Sequence, residues 1–156
     1  MLTEKQLMAA AKEHFAAEDA RDLARLARTV SDDVEYLVRE PYYPDDPGAI
    51  TKRQGQGAVL DLWSGYYERF DAIRIECEEE DMVAFPGRNL VFCNVKILAT
   101  PNQDFFGFPA GKPIRSLVGA LCKFNDDGKM TSEAVYGDMG AVLTGVARMR
   151  AFLGKN

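Results

Sequence analysis

The stretch H-F-A-A-E-D-A-R-D, residues 14–22, carries the only histidine of the 156-residue chain. An imidazole titrates at about pH 6.5, so a histidine can give or take a proton near neutrality. His14 recurs with Leu7, Ala11 and Phe15 at the spacing of one helical face, which puts it on an apolar stripe. Removing a proton next to a carbonyl, or cleaving a β-hydroxy bond, needs a base of near-neutral pKa. It also needs a donor aimed at the oxygen that gains charge. One histidine and one carboxylate are a sufficient minimal set, because an apolar surrounding raises a carboxylate's pKa by desolvation. The competing reading is a core histidine hydrogen-bonded to backbone, and at this level both stand open.

The elements that must position these groups follow from periodicity. Thr3 and Gln6 have capping-box spacing and start a helix that carries Leu7 to Phe15. A second helix runs through Leu23, Leu26, Ala27 and Val30, and S-D-D at 31–33 ends it. Val34 to Glu40 reads as a strand, with Val34, Tyr36, Val38 and Glu40 on one face. P-Y-Y-P-D-D-P-G, 41–48, is a loop by its prolines. A third helix from Gly57 to Phe70 bears the stripe Val59, Leu62, Trp63, Tyr66 and Phe70. The period then changes to two. Strands are expected around Ile73–Cys77, Leu90–Thr100, Arg115–Phe124 and Met130–Asp138, with a D-G hairpin turn at 125–129 and an aromatic-rich loop at 100–113. A last helix is expected over Met139–Leu153. Helices first and strands after make an α+β fold: a curved antiparallel sheet packed on N-terminal helices as a cone with a pocket inside.

Composition narrows the function. The chain is 47% hydrophobic and 28% charged, and its length suits one domain spanning 1–156. A net charge of −5 argues against a nucleic-acid partner, which needs clustered Lys and Arg. No apolar run approaches a membrane span, and M-L-T-E-K-Q has no signal-peptide pattern. Cys77, Cys93 and Cys122 are odd in number and unpaired in spacing. They read as reduced thiols of a cytoplasmic protein, without a zinc site.

The chain resembles the nuclear transport factor 2-like superfamily, in its SnoaL-like and ketosteroid isomerase-like branch. The likeness lies in H-F-A-A-E-D-A-R-D-L-A-R-L, S-D-D-V-E-Y, G-Q-G-A-V, F-P-A-G-K-P-I and F-N-D-D-G-K-M-T-S-E-A-V-Y-G-D, and spans about residues 4–145. The resemblance implies a deep pocket and proton-transfer chemistry without metal or organic cofactor: lyase, isomerase or cyclase reactions, retro-aldol cleavage of an aromatic substrate among them. By the resemblance, His14 stands where the isomerases keep an oxyanion-donor tyrosine. Their base aspartate falls at Val38 and their second oxyanion acid at Ala120. The cyclases' base aspartate falls at Val135. Three familiar catalytic positions are therefore apolar, which argues against both standard reactions.

The polar groups that remain are Tyr36 and Glu40 on the face of Val38, and Glu133 on the face of Val135. With His14 they form the expected catalytic set. Val38, Trp63, Tyr67, Asn94, Lys96 and Val135 are expected to line the pocket around a small hydrophobic, ring-containing substrate. For Leu90–Thr100 two registers compete. Burial alone turns Val91, Cys93, Val95 and Ile97 inward and leaves Lys96 in water. The resemblance reverses this, with the apolar face in a dimer contact. Apolar residues on both faces point to a homodimer formed through the sheet. The alternative to an enzyme is a non-catalytic ligand-binding or dimerisation module of the same fold.

Overall fold

The computed structural model describes residues 1–39, 50–104 and 109–137. Glu40, the 41–48 loop and the helix expected over Met139–Leu153 lie outside them.

The chain opens with α1 (Glu4–Asp19) and α2 (Leu23–Thr29), then β1 (Val30–Arg39), β2 (Ile50–Gln54) and α3 (Gln56–Arg69). Strands β3 (Phe70–Glu76), β4 (Met82–Phe85), β5 (Leu90–Pro101), β6 (Ile114–Phe124) and β7 (Met130–Gly137) follow. Short 3₁₀ turns at Glu79–Asp81 and Pro86–Arg88 flank β4. Among the described residues, no helix is long and apolar enough to cross a membrane.

The seven strands of the described residues form one sheet in the order β2-β1-β7-β6-β5-β3, with β4 also paired to β5. The pairs are antiparallel with one exception: β1 and β7 run parallel. The α+β class expected from the element order therefore holds, but the sheet is mixed. This matters for the site, because the parallel register sets Tyr36 directly beside Glu133 and Val38 beside Val135. S-D-D was expected to end the second helix, with a strand from Val34; instead α2 stops at Thr29 and S-D-D lies within β1, whose register slips between Val30 and Glu35. At the other end of β7, Gly128 adopts a left-handed φ of 77° in the 125–129 turn. The Asn125 side chain there accepts from the amides of Asp127 and Lys129.

α1 begins with the expected capping box, in which Thr3 accepts from the Gln6 amide and the Gln6 side chain accepts from the Thr3 amide. Its buried face is Leu7, Ala11, His14, Phe15, Ala17 and Glu18. This face packs on the inner side of the sheet, where Val91, Cys93, Val95, Ala120, Cys122 and Phe124 are buried. Truncating a buried residue of this layer, Leu7 for example, is expected to cost about 2–5 kcal/mol. Arg25 donates two 2.7 Å hydrogen bonds to the Glu13 carboxylate and so ties α2 to α1. Thr29, at the end of α2, lies against the middle of α1, its hydroxyl 2.8 Å from His14 Nδ1.

Candidate functional site

Where α1, α2, β1 and β7 meet, polar groups are sealed inside the apolar core. His14 is 0% exposed, Glu18 2%, Tyr36 2% and Glu133 3%. Each position follows from local geometry. His14 and Glu18 are one helical turn apart on α1. Tyr36 and Glu133 are neighbours across the parallel β1–β7 pair, and alternation turns both inward.

The hydrogen bonds fix the imidazole tautomer. The Thr29 hydroxyl lies 2.7 Å from the Leu26 carbonyl and 2.8 Å from His14 Nδ1. A carbonyl can only accept, so the single Thr29 proton points to Leu26. Thr29 must then accept from Nδ1–H. His14 Nε2 faces the rest of the cluster: Tyr36 Oη at 2.7 Å, Glu18 Oε1 at 3.0 Å and Glu133 Oε2 at 3.6 Å. Tyr36 in turn donates to Glu18 Oε1 at 3.1 Å. With that proton directed to Glu18, a proton on Nε2 finds acceptors in Tyr36 Oη and Glu18 Oε1. Both ring nitrogens thus have acceptors within reach, an arrangement that suits an imidazolium.

The electrostatics agree. Burial works against a charge on His14, but the carboxyl groups of Glu18 and Glu133 outweigh it and raise its pKa from 6.5 to about 10. Burial lifts Glu18 from 4.5 to about 7, against the pull of the His14 charge. Burial and the two carboxylates hold Tyr36 well above the usual phenol range, so it remains a donor. Glu133 Oε2 is the exception in an otherwise satisfied network: it is buried and has no hydrogen-bond partner.

His14, Glu18 and Glu133 are also the residues, among those described, whose ligating atoms lie close enough to surround a cation, within 4.8 Å of one another. A cation on Nε2 would have to displace the Tyr36 hydrogen bond.

The other expected site residues fall in different places. Tyr67 and Trp63 are half-buried on α3, with ring centroids 5.6 Å apart. The Tyr67 hydroxyl donates to the Glu18 carbonyl at 3.0 Å, so it secures the end of α1. Arg21 stacks over the Tyr67 ring and donates to the Tyr67 and Asp71 carbonyls. Trp63 Nε1 is buried without a partner. Val135 is half-buried against the core. Val38 is placed by its backbone alone, as the register partner of Val135. Asn94 and Lys96 do not line this site. Both are exposed on the outer face of β5, and Lys96 pairs with Asp81 at 3.0 Å. The register drawn from the resemblance is therefore reversed. The apolar face of β5 forms the core, as burial alone requires.

Glu18 was not among the expected residues. The signal for it was present: the stripe Leu7, Ala11, His14 extends by one more turn to residue 18. A glutamate there reads as the solvated end of a helix until a buried histidine one turn earlier gives it a partner.

A mixed, curved sheet wrapped on N-terminal helices, with polar groups held inside it, defines the cone-shaped α+β class. Residues 11–133 match the SnoaL-like domain, and the chain belongs to that family. Solved structures agree on the fold. AclR from Streptomyces galilaeus, a candidate hydroxylase, is 18% identical over 99% of this chain and 88% of its own, with a TM-score of 0.68. IdmH from Streptomyces antibioticus, a candidate polyketide cyclase, is 17% identical over 90% of this chain and 99% of its own, at 0.69. A candidate SnoaL-like polyketide cyclase from Jannaschia sp. CCS1 is 14% identical over 90% and 91%, at 0.71. No curated protein matches the chain in sequence.

Proposed function

We propose that this protein is a cofactor-independent acid/base enzyme acting on a hydrophobic, ring-containing small molecule by lyase, isomerase or cyclase chemistry. The observation that carries the reading is the meeting of His14 Nε2 with two buried carboxyl groups and a buried phenol. Such a set supplies a base of near-neutral pKa and a donor for developing negative charge, the two requirements of proton transfer beside a carbonyl. Glu18 holds His14 in its charged form. Glu133, whose Oε2 faces His14 at 3.6 Å but holds no hydrogen bond, is the group left to exchange a proton with a substrate. In a retro-aldol cleavage, the β-hydroxyl proton passes to the carboxylate as the C–C bond breaks, and the electron pair moves onto the carbonyl oxygen. Imidazolium or phenol then protonates the enolate. Family membership and the cyclase-like neighbours support the class.

The test is turnover and solvent-deuterium exchange on a panel of ring ketones and β-hydroxy carbonyl compounds, followed by NMR. Wild type should act on at least one member, and His14→Gln and Glu133→Gln should each lose about a hundredfold or more. Unchanged rates in both variants would overturn the assignment.

A second reading, a ligand-binding or dimer-forming module, draws on the complete enclosure of the cluster. The outer sheet face supports the homodimer that we also propose. Val83, Phe92 and Leu121 form one cross-strand row there, Val83 is 55% exposed, and Phe85 stands exposed beside them. The three buried free cysteines fit a reducing compartment such as the cytoplasm.

A further inference from the structure

The unsatisfied oxygen of Glu133 states what a ligand must bring. Oε2 is buried, with the whole residue 3% exposed, and has no hydrogen-bond partner. His14 Nε2 stands 3.6 Å away and is already engaged by Tyr36 and Glu18. A buried polar atom without a partner costs about 1–3 kcal/mol, more if charged, so the folded protein holds an unfilled demand at one atom. The charge inventory restricts the answer. One imidazolium faces two carboxyl groups, so the cluster is neutral with one carboxyl protonated and negative with both ionised. In a low-dielectric core, a further carboxylate from a ligand would add unpaired negative charge beside Glu133. An ether or ketone oxygen can only accept, and would leave an ionised Oε2 unsatisfied. A hydroxyl can donate to Oε2 when Glu133 is ionised and accept from it when Glu133 is protonated.

Building on the acid/base reading, we infer that the site takes a neutral, hydroxyl-bearing substrate whose O–H is seated on Glu133 Oε2, and rejects carboxylates. Because Oε2 is enclosed, the ligand must displace the side chains that cover it. The hydroxyl then supplies the hydrogen bond that Oε2 lacks.

The experiment measures equilibrium binding by calorimetry at pH 7, with benzyl alcohol, benzyl methyl ether and phenylacetate as matched probes. Benzyl alcohol should bind at least tenfold more tightly than its methyl ether, and phenylacetate should not bind measurably. Glu133→Leu should abolish the preference for the alcohol. Glu133→Gln, which keeps the shape and removes the acid, should admit phenylacetate. Should Glu133→Leu not fold, the Glu133→Gln arm decides. Equal binding of alcohol and ether, an alcohol preference that survives in Glu133→Leu, continued exclusion of phenylacetate by Glu133→Gln, or no binding of any probe would each overturn the inference. None of these outcomes measures turnover, so the proton-transfer reading stands or falls separately on the exchange assay.

Discussion

Two ion pairs in this protein have the same length and opposite consequences. His14 Nε2 to Glu18 Oε1 and Lys96 Nζ to Asp81 Oδ2 are both 3.0 Å. The first pair has side chains 0% and 3% exposed; the second, 55% and 18%. Water screens the second pair and competes with it, so its contribution is small. The first pair is stripped of water, and removing His14 leaves the two carboxyl groups that face it without a cation. Distance alone does not distinguish a buried pair from a surface one. The medium around it does, and here the medium is set by which face of the sheet each residue occupies.

The largest effect expected from this contrast is that of His14→Leu. It leaves Glu18 and Glu133 together in the core without a cation, and should cost about 3–5 kcal/mol of stability. Chemical denaturation followed by far-UV circular dichroism measures it. A loss under about 1 kcal/mol would mean that the two carboxyl groups need no partner.

An intermediate effect is expected in the response to pH. The groups facing one another are His14 and Glu18 on α1, Tyr36 on β1, Glu133 on β7 and the neighbouring thiol of Cys122 on β6. Glu18 has a folded-state pKa raised from 4.5 to about 7. Its contribution is therefore complete below 4.5 and lost as pH rises through 7. His14 is raised from 6.5 to about 10, so its contribution is complete below 6.5 and lost as pH rises through 10. Wild type should thus lose melting temperature in two stages. Glu18→Gln should lack the lower one, so that wild type falls relative to the variant between pH 4.5 and 7. A wild-type curve that rises against the variant over that window would contradict the sign.

The smallest effect sharpens the comparison from the other side. Lys96→Ala should shift the melting temperature by no more than about one or two degrees, and the shift should vanish in high salt. A large, salt-insensitive loss would give the outer pair a role that its exposure denies it.

How much of this was legible in the sequence depends on how local each signal is. The capping box at Thr3, the stripe through His14 and the D-G turn are local, and each has its counterpart in the structure. β2 was not legible, since I-T-K-R-Q carries no apolar alternation and is held by its pairing with β1. β4 was hidden by its length of four residues beside an acidic run. The parallel joining of β1 to β7 is a long-range property, with no mark in either segment. That joining places Tyr36 beside Glu133, so the two residues could be named as candidates but not as neighbours. Asn94 and Lys96 show the reverse error: a register taken from resemblance overrode the plainer argument that an unbroken apolar face is buried.

The central claim is that the chain's single imidazole is locked as a cation by the carboxyl groups around it, and one measurement reads it directly. Because His14 is the only histidine, the ¹⁵N spectrum of histidine-labelled protein contains one imidazole pair. That pair should show the shifts of a doubly protonated ring at pH 7 and titrate only on approach to about pH 10. A singly protonated ring at pH 7, titrating at or below 6.5, would contradict it.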